Sequence, residues 1–352
     1  MILASRLGVS APRRVTGAVL VAALVALAAY LLPGRGAPAQ APIGAPARLA
    51  LVYARPIGTG MAVRGEEIYV ATPSGSHPVP LAKGMYPSLS PDGRWVAYIG
   101  GGRNRPATVH LVNTLGGSAL DTRIAADAVA WSPDSRTLAA QASHGTVALL
   151  DPRTLHRRAL TLHPGGLDLS FSPDGSALAY ETDGRHGPDI YTVTVRGDVI
   201  QRLTTGGRSG SPLWGPDGIA FERYAPRSCA NCLGDVWLMN TDGRNAHPLT
   251  HTHAGIYPAA WSADGTRMLA AYPATHNGRL YAIDVAAGRA RPLTRFVGDL
   301  FPQGLSRDGR TVLASIGCGG LATPFGVVET IPFTGGRPTI VVRGPCAASS
   351  NF

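Results

Sequence analysis

Six copies of one short turn recur along this chain at nearly even spacing, and no other feature restricts its fold as much. They read Ser90-Pro-Asp-Gly93, Ser132-Pro-Asp-Ser135, Ser172-Pro-Asp-Gly175, Gly215-Pro-Asp-Gly218, Ser262-Ala-Asp-Gly265 and Ser306-Arg-Asp-Gly309. The aspartates fall at 92, 134, 174, 217, 264 and 308, so the steps are 42, 40, 43, 47 and 44 residues. Proline presets φ at the first central position, aspartate bonds nearby backbone N–H groups, and glycine accepts positive φ where the next strand begins. A period of about 40–45 residues built from short strands is that of a β-propeller blade.

The flanks repeat too. An apolar segment ending in an aromatic residue precedes most turns, as in Val129-Ala-Trp131, Leu169-Ser-Phe171, Pro212-Leu-Trp214 and Pro258-Ala-Ala-Trp261. An apolar strand follows each, as in Trp95-Val-Ala-Tyr98 and Ala177-Leu-Ala-Tyr180. Then come a third strand, a second turn and a fourth strand closing with Leu-Thr, at Leu203-Thr204, Leu249-Thr250 and Leu293-Thr294. Large rings mainly supply buried area, so the aromatics are expected between neighbouring blades. The turn occurs six times, but the later pair of strands has a seventh copy, Glu67-Ile-Tyr-Val70 through Pro80-Leu81, preceded by Leu49-Ala-Leu-Val-Tyr53. That first blade lacks an innermost strand, which the tail after Gly344 is placed to supply. Seven blades are therefore expected over residues 49–352, with six as the alternative if 49–83 are a decoration.

The Pro-x-Trp-Ser-Pro-Asp-Gly turn, the Leu-Ala-Tyr strand after it and the closing Leu-Thr resemble the repeat of the TolB-like, WD-like propeller family. The resemblance runs from about 49 to 343. It implies an all-β fold of four-stranded blades. The relatives it brings in are periplasmic scaffold proteins and the propeller halves of serine peptidases of the prolyl oligopeptidase class. The chain contains no Gly-x-Ser-x-Gly elbow of the kind those peptidases need.

The N-terminal region reads as an address. Residues 1–14 form a short basic segment with Arg6, Arg13 and Arg14, and Val15 to Leu32 is an uncharged run of 18 residues rich in Ala, Val and Leu. Positive charge ahead of an apolar run directs the downstream chain out of the cytoplasm. The length suits either a single-pass signal anchor, formed by an apolar helix over 15–32, or a cleaved signal peptide. Residues 33–48 are dense in Pro, Gly and Ala and read as a linker. The expected location is the extracytoplasmic face of the cell membrane, or the periplasm or exterior after cleavage.

Composition agrees: 44 Gly and 29 Pro supply many turns, and only 15% of residues are charged. Setting aside the three N-terminal arginines takes the formal net charge from +10 to +7. An exported basic chain without an arginine-rich aromatic stripe points away from nucleic acid and towards acidic protein or envelope components. Four cysteines divide into two pairs. Cys229 and Cys232 sit in a Cys-Ala-Asn-Cys loop segment. Outside the cytoplasm a local disulfide is the simplest reading, with a redox pair and free or metal-bound thiols as the alternatives. Cys318 and Cys346 lie in the last blade's loop and in the tail, where a bridge would fasten the ring.

No catalytic constellation emerges, and the repeated aspartates belong to turns. The connections from second to third strand and from blade to blade should open on one face. Six of the ten histidines, His144, His163, His186, His251, His253 and His276, are assigned there. So are Lys83, Arg103, Arg105, Arg123, Arg185, Arg208, Arg223, Arg227 and Arg295, against only four acids, Asp127, Asp168, Asp183 and Asp299. From these the candidate binding set is His163, His251, His253, His276, Arg103, Arg105, Arg185 and Arg208. It would form a basic surface whose charge rises as histidine, a residue type titrating near ~6.5, is protonated. No metal or cofactor is expected, and the propeller is expected to be a monomer. Two function classes are open: a non-enzymatic binding or scaffold module, and a lyase or lactonase using the central channel.

Overall fold

The computed structural model describes residues 50–57, 66–102, 105–142, 146–162, 166–184, 187–225, 233–272, 278–295, 300–316, 326–344 and 347–350. The apolar segment 15–32 and all four cysteines lie outside them. Within them the chain forms seven four-stranded antiparallel sheets.

Blade 1 contains β1 (Leu51–Pro56), β2 (Glu66–Ala71) and β3 (Val79–Lys83). Blade 2 is β4 (Met85–Leu89), β5 (Trp95–Gly102), β6 (Arg105–Asn113) and β7 (Leu120–Ala125). Blade 3 is β8 (Ala128–Trp131), β9 (Leu138–Gln141), β10 (Val147–Leu150) and β11 (Arg157–Leu160). Blade 4 is formed by β12 (Leu167–Phe171), β13 (Ala177–Gly184), β14 (Gly187–Thr194) and β15 (Ile200–Arg202). Blade 5 has β16 (Ser209–Gly215), β17 (Gly218–Arg223), β18 (Asp235–Met239) and β19 (His247–Pro248). Blade 6 has β20 (Tyr257–Trp261), β21 (Arg267–Tyr272), β22 (Arg279–Asp284) and β23 (Arg289–Pro292). Blade 7 has β24 (Leu300–Leu305), β25 (Thr311–Ile316), β26 (Val327–Pro332) and β27 (Thr339–Arg343). The last strand, β28 (Ala347–Ser350), returns to blade 1 and pairs antiparallel with β1, Leu51 opposite Ser350 and Ala54 opposite Ala347. The tail thus supplies the missing inner strand, and the seven-blade alternative is the one observed.

Each first strand neighbours the first strands of the adjoining blades, so these strands line the ring axis. Buried apolar residues fall into seven clusters, one at each blade interface. Val52, Ile68, Val96 and Tyr98 join blades 1 and 2, and Leu51, Tyr53, Leu313 and Val328 join blades 1 and 7. Trp131 and Trp261 lie in such interfaces, and each indole N–H donates to the preceding blade's inner strand, to Ser88 O and Leu213 O, both at 3.2 Å. This is why an aromatic residue recurs before the turn. It covers the neighbouring blade and finds its hydrogen-bond partner there.

The turn chemistry repeats atom for atom. In five copies the serine hydroxyl donates to the aspartate two residues on, at 2.6–2.7 Å. The same hydroxyl accepts a backbone N–H five residues on, as Trp95 N to Ser90 Oγ at 2.9 Å. The fourth position of the turn has positive φ, 70° at Gly93 and 60° at Ser135. The Leu-Thr pair lies just beyond the short fourth strands rather than inside them. Leu203 N donates to Ile190 O, and Thr204 Oγ1 accepts from Ile190 N. Leu249-Thr250 with Val236 and Leu293-Thr294 with Leu280 repeat this two-bond pin.

Because strands alternate in direction, first-to-second and third-to-fourth connections share one face, here the turn face. Second-to-third and blade-to-blade connections share the other, the loop face.

Candidate functional site

The described part of the loop face gathers its charge over blades 4 and 5. At the start of the third strand the two blades carry an equivalent buried aspartate. Asp189 accepts from Arg202 Nη2 at 2.6 Å, Thr204 Oγ1 at 3.1 Å and Gly207 N at 3.2 Å. Asp235 accepts from Thr250 Oγ1 at 2.8 Å, Thr252 N at 2.7 Å and His253 N at 3.1 Å. Each carboxylate therefore holds the following blade-to-blade loop by its backbone. Arg279 takes the same place in blade 6 and reverses the polarity, its Nε donating to Thr294 O at 3.1 Å.

Arginines on this face stack on the aromatic residues of the third strands. Arg223 lies 4.5 Å from the Trp237 ring centroid, Arg202 5.9 Å from Tyr191, and Arg279 5.5 Å from Tyr281. In blade 1 Arg55 covers the stacked pair Tyr53 and Tyr69. The ring faces attract the cations and hold them in fixed positions. Burial, together with the neighbouring charge of Arg208, holds the Arg223 guanidinium below its ordinary value, and Asp189 opposes that shift.

Nearer the axis the face turns acidic. Glu181 and Glu222 lie in the loop-face halves of the second strands of blades 4 and 5 and are buried. Glu181 Oε2 accepts from Ser211 N at 2.7 Å, across the blade boundary. Gly210 makes this possible, since a Cβ there would stand 2.5 Å from Glu181 Oε2 and 2.7 Å from the Tyr224 hydroxyl. Three inner strands carry a non-glycine residue with positive φ six positions before the turn aspartate: Tyr86 (53°), Asp168 (51°) and Ser211 (51°). Each coincides with a shift in strand register. Prolines 258 and 302 occupy the same place in blades 6 and 7. Left-handed backbone costs such residues about 1 kcal/mol or more, and it aims their side chains away from the ordinary pleat.

Of the candidate binding set drawn from sequence, His251, His253 and Arg208 fall in this sector, and Arg223, assigned to the same face, lies there too. His251 is exposed. His253 is not a bare cation, because its ring Nδ1 lies 3.0 Å from Asp235 Oδ2 while its side chain remains 68% exposed. Arg208 sits beside Arg223, and its carbonyl accepts from Tyr224 N at 2.8 Å. Arg105 opens β6. His163, His276, Arg103 and Arg185 lie outside the described residues, as do the disulfide candidates Cys229, Cys232, Cys318 and Cys346. Sequence reasoning missed Asp189, Asp235, Glu181 and Glu222 because it sought charge in loops. Their signal was present at the strand ends: an acid directly before Ile-Tyr or Val-Trp, and an acid directly after Ala-Tyr or Ala-Phe. Among the described residues, no three His, Cys, Asp or Glu side chains are grouped so as to hold a metal.

By fold, the chain is similar to TolB from Acinetobacter baumannii, with a TM-score of 0.55 and 17% identity over 84% of this chain and 79% of that one. It is also similar to an oligogalacturonate lyase solved in complex with manganese, with a TM-score of 0.57 and 15% identity over 85% and 86% of the two chains. In sequence, 112 residues are 30% identical to an uncharacterized peptidase of Bacillus subtilis, YuxL. That match takes in 29% of this chain and spans only 16% of the peptidase's length. The family model of the TolB beta propeller domain matches residues 64–299, well over half of the chain. With seven blades, six of them carrying the repeated turn, and that match across most of them, the chain belongs to the TolB beta propeller domain family.

Proposed function

We propose that this chain is a non-enzymatic binding or scaffold module at the cell envelope. It is held at the extracytoplasmic side of the membrane through residues 15–32 and presents its loop face to an acidic protein or envelope component. The observation that carries this reading is the use made of charge on that face. Asp189 and Asp235 brace the interblade loops, while Arg202, Arg223 and Arg279 are held over aromatic rings. Such fixed charges make a preorganised surface, which costs little further ordering when a partner binds. Kinship with TolB supports the scaffold role.

The test uses the full chain and a defined acidic probe, polyglutamate. Binding should be tighter near pH 5.5 than near pH 8, because imidazoles gain positive charge as pH falls. It should weaken with salt, since exposed charges are screened within about 10 Å at 0.1 M. Exchanging His251 and His253 for glutamine should flatten the pH response, and Arg208→Ala should weaken binding at both pH values. Binding indifferent to pH and salt would overturn the reading.

One observation favours a second reading, an enzyme of the lyase or lactonase kind working at the channel. Strained backbone at equivalent inner-strand positions, as at Tyr86, Asp168 and Ser211, is a feature of functional sites. A new unsaturated product from oligogalacturonate and manganese, lost in Asp168→Asn, would decide for it.

A further inference from the structure

Nine large apolar side chains are exposed among the described residues, and seven of them lie in third-to-fourth strand turns or in the first two residues of a fourth strand. That is the outer rim of the turn face. They are contiguous around the ring: Ile340 in blade 7, Val79 in blade 1, Leu115 in blade 2, Leu155 in blade 3 and Val199 in blade 4. Leu120 and Ile200 stand at the starts of β7 and β15 in the same arc. Blades 5 and 6 have none at this place among the described residues. Single exposed apolar residues are ordinary, but an arc confined to one rim of one face is not what chance scatter produces.

Two neighbouring blades of the arc also concentrate arginine, although Arg244 in blade 5 and Arg289 and Arg291 in blade 6 show that charge at this level is not confined to it. The turns of blades 3 and 4 carry Arg153, Arg157, Arg158 and Arg196, with Asp151 and Asp198 as the carboxylates of those two turns. Arg158 Nη1 donates to Arg196 O at 3.4 Å, which ties the two turns together. Leu155, at positive φ and exposed, lies between Arg153 and Arg157 in the sequence of its turn. Apolar tips flanked by arginine suit the boundary between lipid headgroups and acyl chains.

The route of the chain points the same way. β1 is the second strand of its blade, so the chain enters the ring on the turn face at Ala50, inside the apolar arc. The 16 residues from 33 to 48 reach about 58 Å at most. That tether keeps the propeller near a bilayer without choosing its orientation.

We propose that this rim docks on the surface of an anionic lipid bilayer, leaving the loop face turned outward to its partner. The proposal rests on the reading of residues 15–32 as a membrane-inserting segment only for the tether; the rim itself is argued from the ring.

The test is hydrogen–deuterium exchange on the full chain in two kinds of nanodisc, phosphatidylcholine alone and phosphatidylcholine with phosphatidylglycerol. Anionic discs should slow exchange in segments 114–120, 151–158 and 195–200 by about fivefold or more, with the loop face unchanged. Salt at about 0.5 M should abolish the protection while the chain stays in the disc. The triple exchange Arg153→Glu, Arg157→Glu, Arg158→Glu should abolish it too, and the salt titration of the unaltered chain decides if that variant does not fold. Equal exchange in both discs, or protection of the loop face instead, overturns the proposal. A chain that leaves zwitterionic discs but is still protected on anionic ones would refute the anchor and keep the docking rim.

Discussion

The two faces of this propeller differ in what closes their connections. On the turn face each turn is first closed by its own residues, Ser90, Asp92, Gly93 and Trp95 bonding to one another within five positions, and only then joined to its neighbours, as by Asp92 N to Ser135 Oγ and Arg267 Nη1 to Gly309 O. On the loop face the partners come from afar. Glu181 reaches Ser211 N, 30 residues on, and Asp235 reaches Thr252 N and His253 N, 17 and 18 residues on. Electrostatics divide the same way. The turn carboxylates Asp174, Asp264 and Asp308 are held below the usual range, chiefly by the hydroxyls of Ser172, Ser262 and Ser306. Glu66, at the start of β2 on the loop face, is pushed up to about 7 by burial. Locally closed turns fix the blade count and leave the far face free to vary, which is where a repeat fold acquires its specificity.

The comparison breaks most severely if a blade interface is emptied, since both faces rest on it. Trp261→Ala should lower unfolding free energy by about 3–5 kcal/mol, read from urea denaturation. Trp261→Phe keeps an aromatic ring and loses the bond to Leu213 O, and should cost only about 1 kcal/mol. If the two variants cost the same, interblade packing does not organise the ring.

Glu66 sharpens the contrast through its sign. Its folded value lies above the ordinary 4.5, so its contribution is fully present below pH ~4.5 and is lost as pH rises through about 7. Between pH 5 and 8 the protein should lose up to about 3 kcal/mol from this group. Glu66→Gln should remove that slope. An unchanged slope would mean that the carboxyl is solvated.

Asp235→Ala leaves Thr250 Oγ1, Thr252 N and His253 N without their acceptor, and should cost about 2 kcal/mol. Its signature is positional: amide exchange should quicken across residues 250–255 and stay unchanged in the turns. Global loosening would deny the bracing role.

The smallest effect per site belongs to the turns. Exchanging Asp174, Asp264 and Asp308 together for asparagine should cost about 1 kcal/mol for each exposed site at neutral pH. The wild-type contribution is present above the ordinary carboxylate value of 3.8 and is lost as pH falls through the lower folded values. The variant should therefore show a shallower acid limb.

Much of the fold was legible because its determinants are short-range and repeat. The residues that close each turn lie within four positions, with serine, aspartate and glycine all present in four of the six copies, and six copies in phase announce the period. The ring closure was legible by subtraction, since blade 1 had three strands and a tail to spare. The candidate site was legible only in part. His253 reads as a free loop histidine until Asp235, 18 positions earlier, is seen beside its ring. Arg223 reads as a surface cation until Trp237 is found beneath it.

By itself, then, the sequence determined the all-β class, the blade period, the turn chemistry and the family, because each depends on neighbours in the chain. Tertiary structure alone decided which charges meet: Glu181 with Ser211, Asp189 with Arg202, His253 with Asp235, and the apolar rim with the arginines of blades 3 and 4. Those meetings depend on how blades pack round a closed ring, and the packing is set by interfaces between residues some forty positions apart, whose spacing no local pattern records.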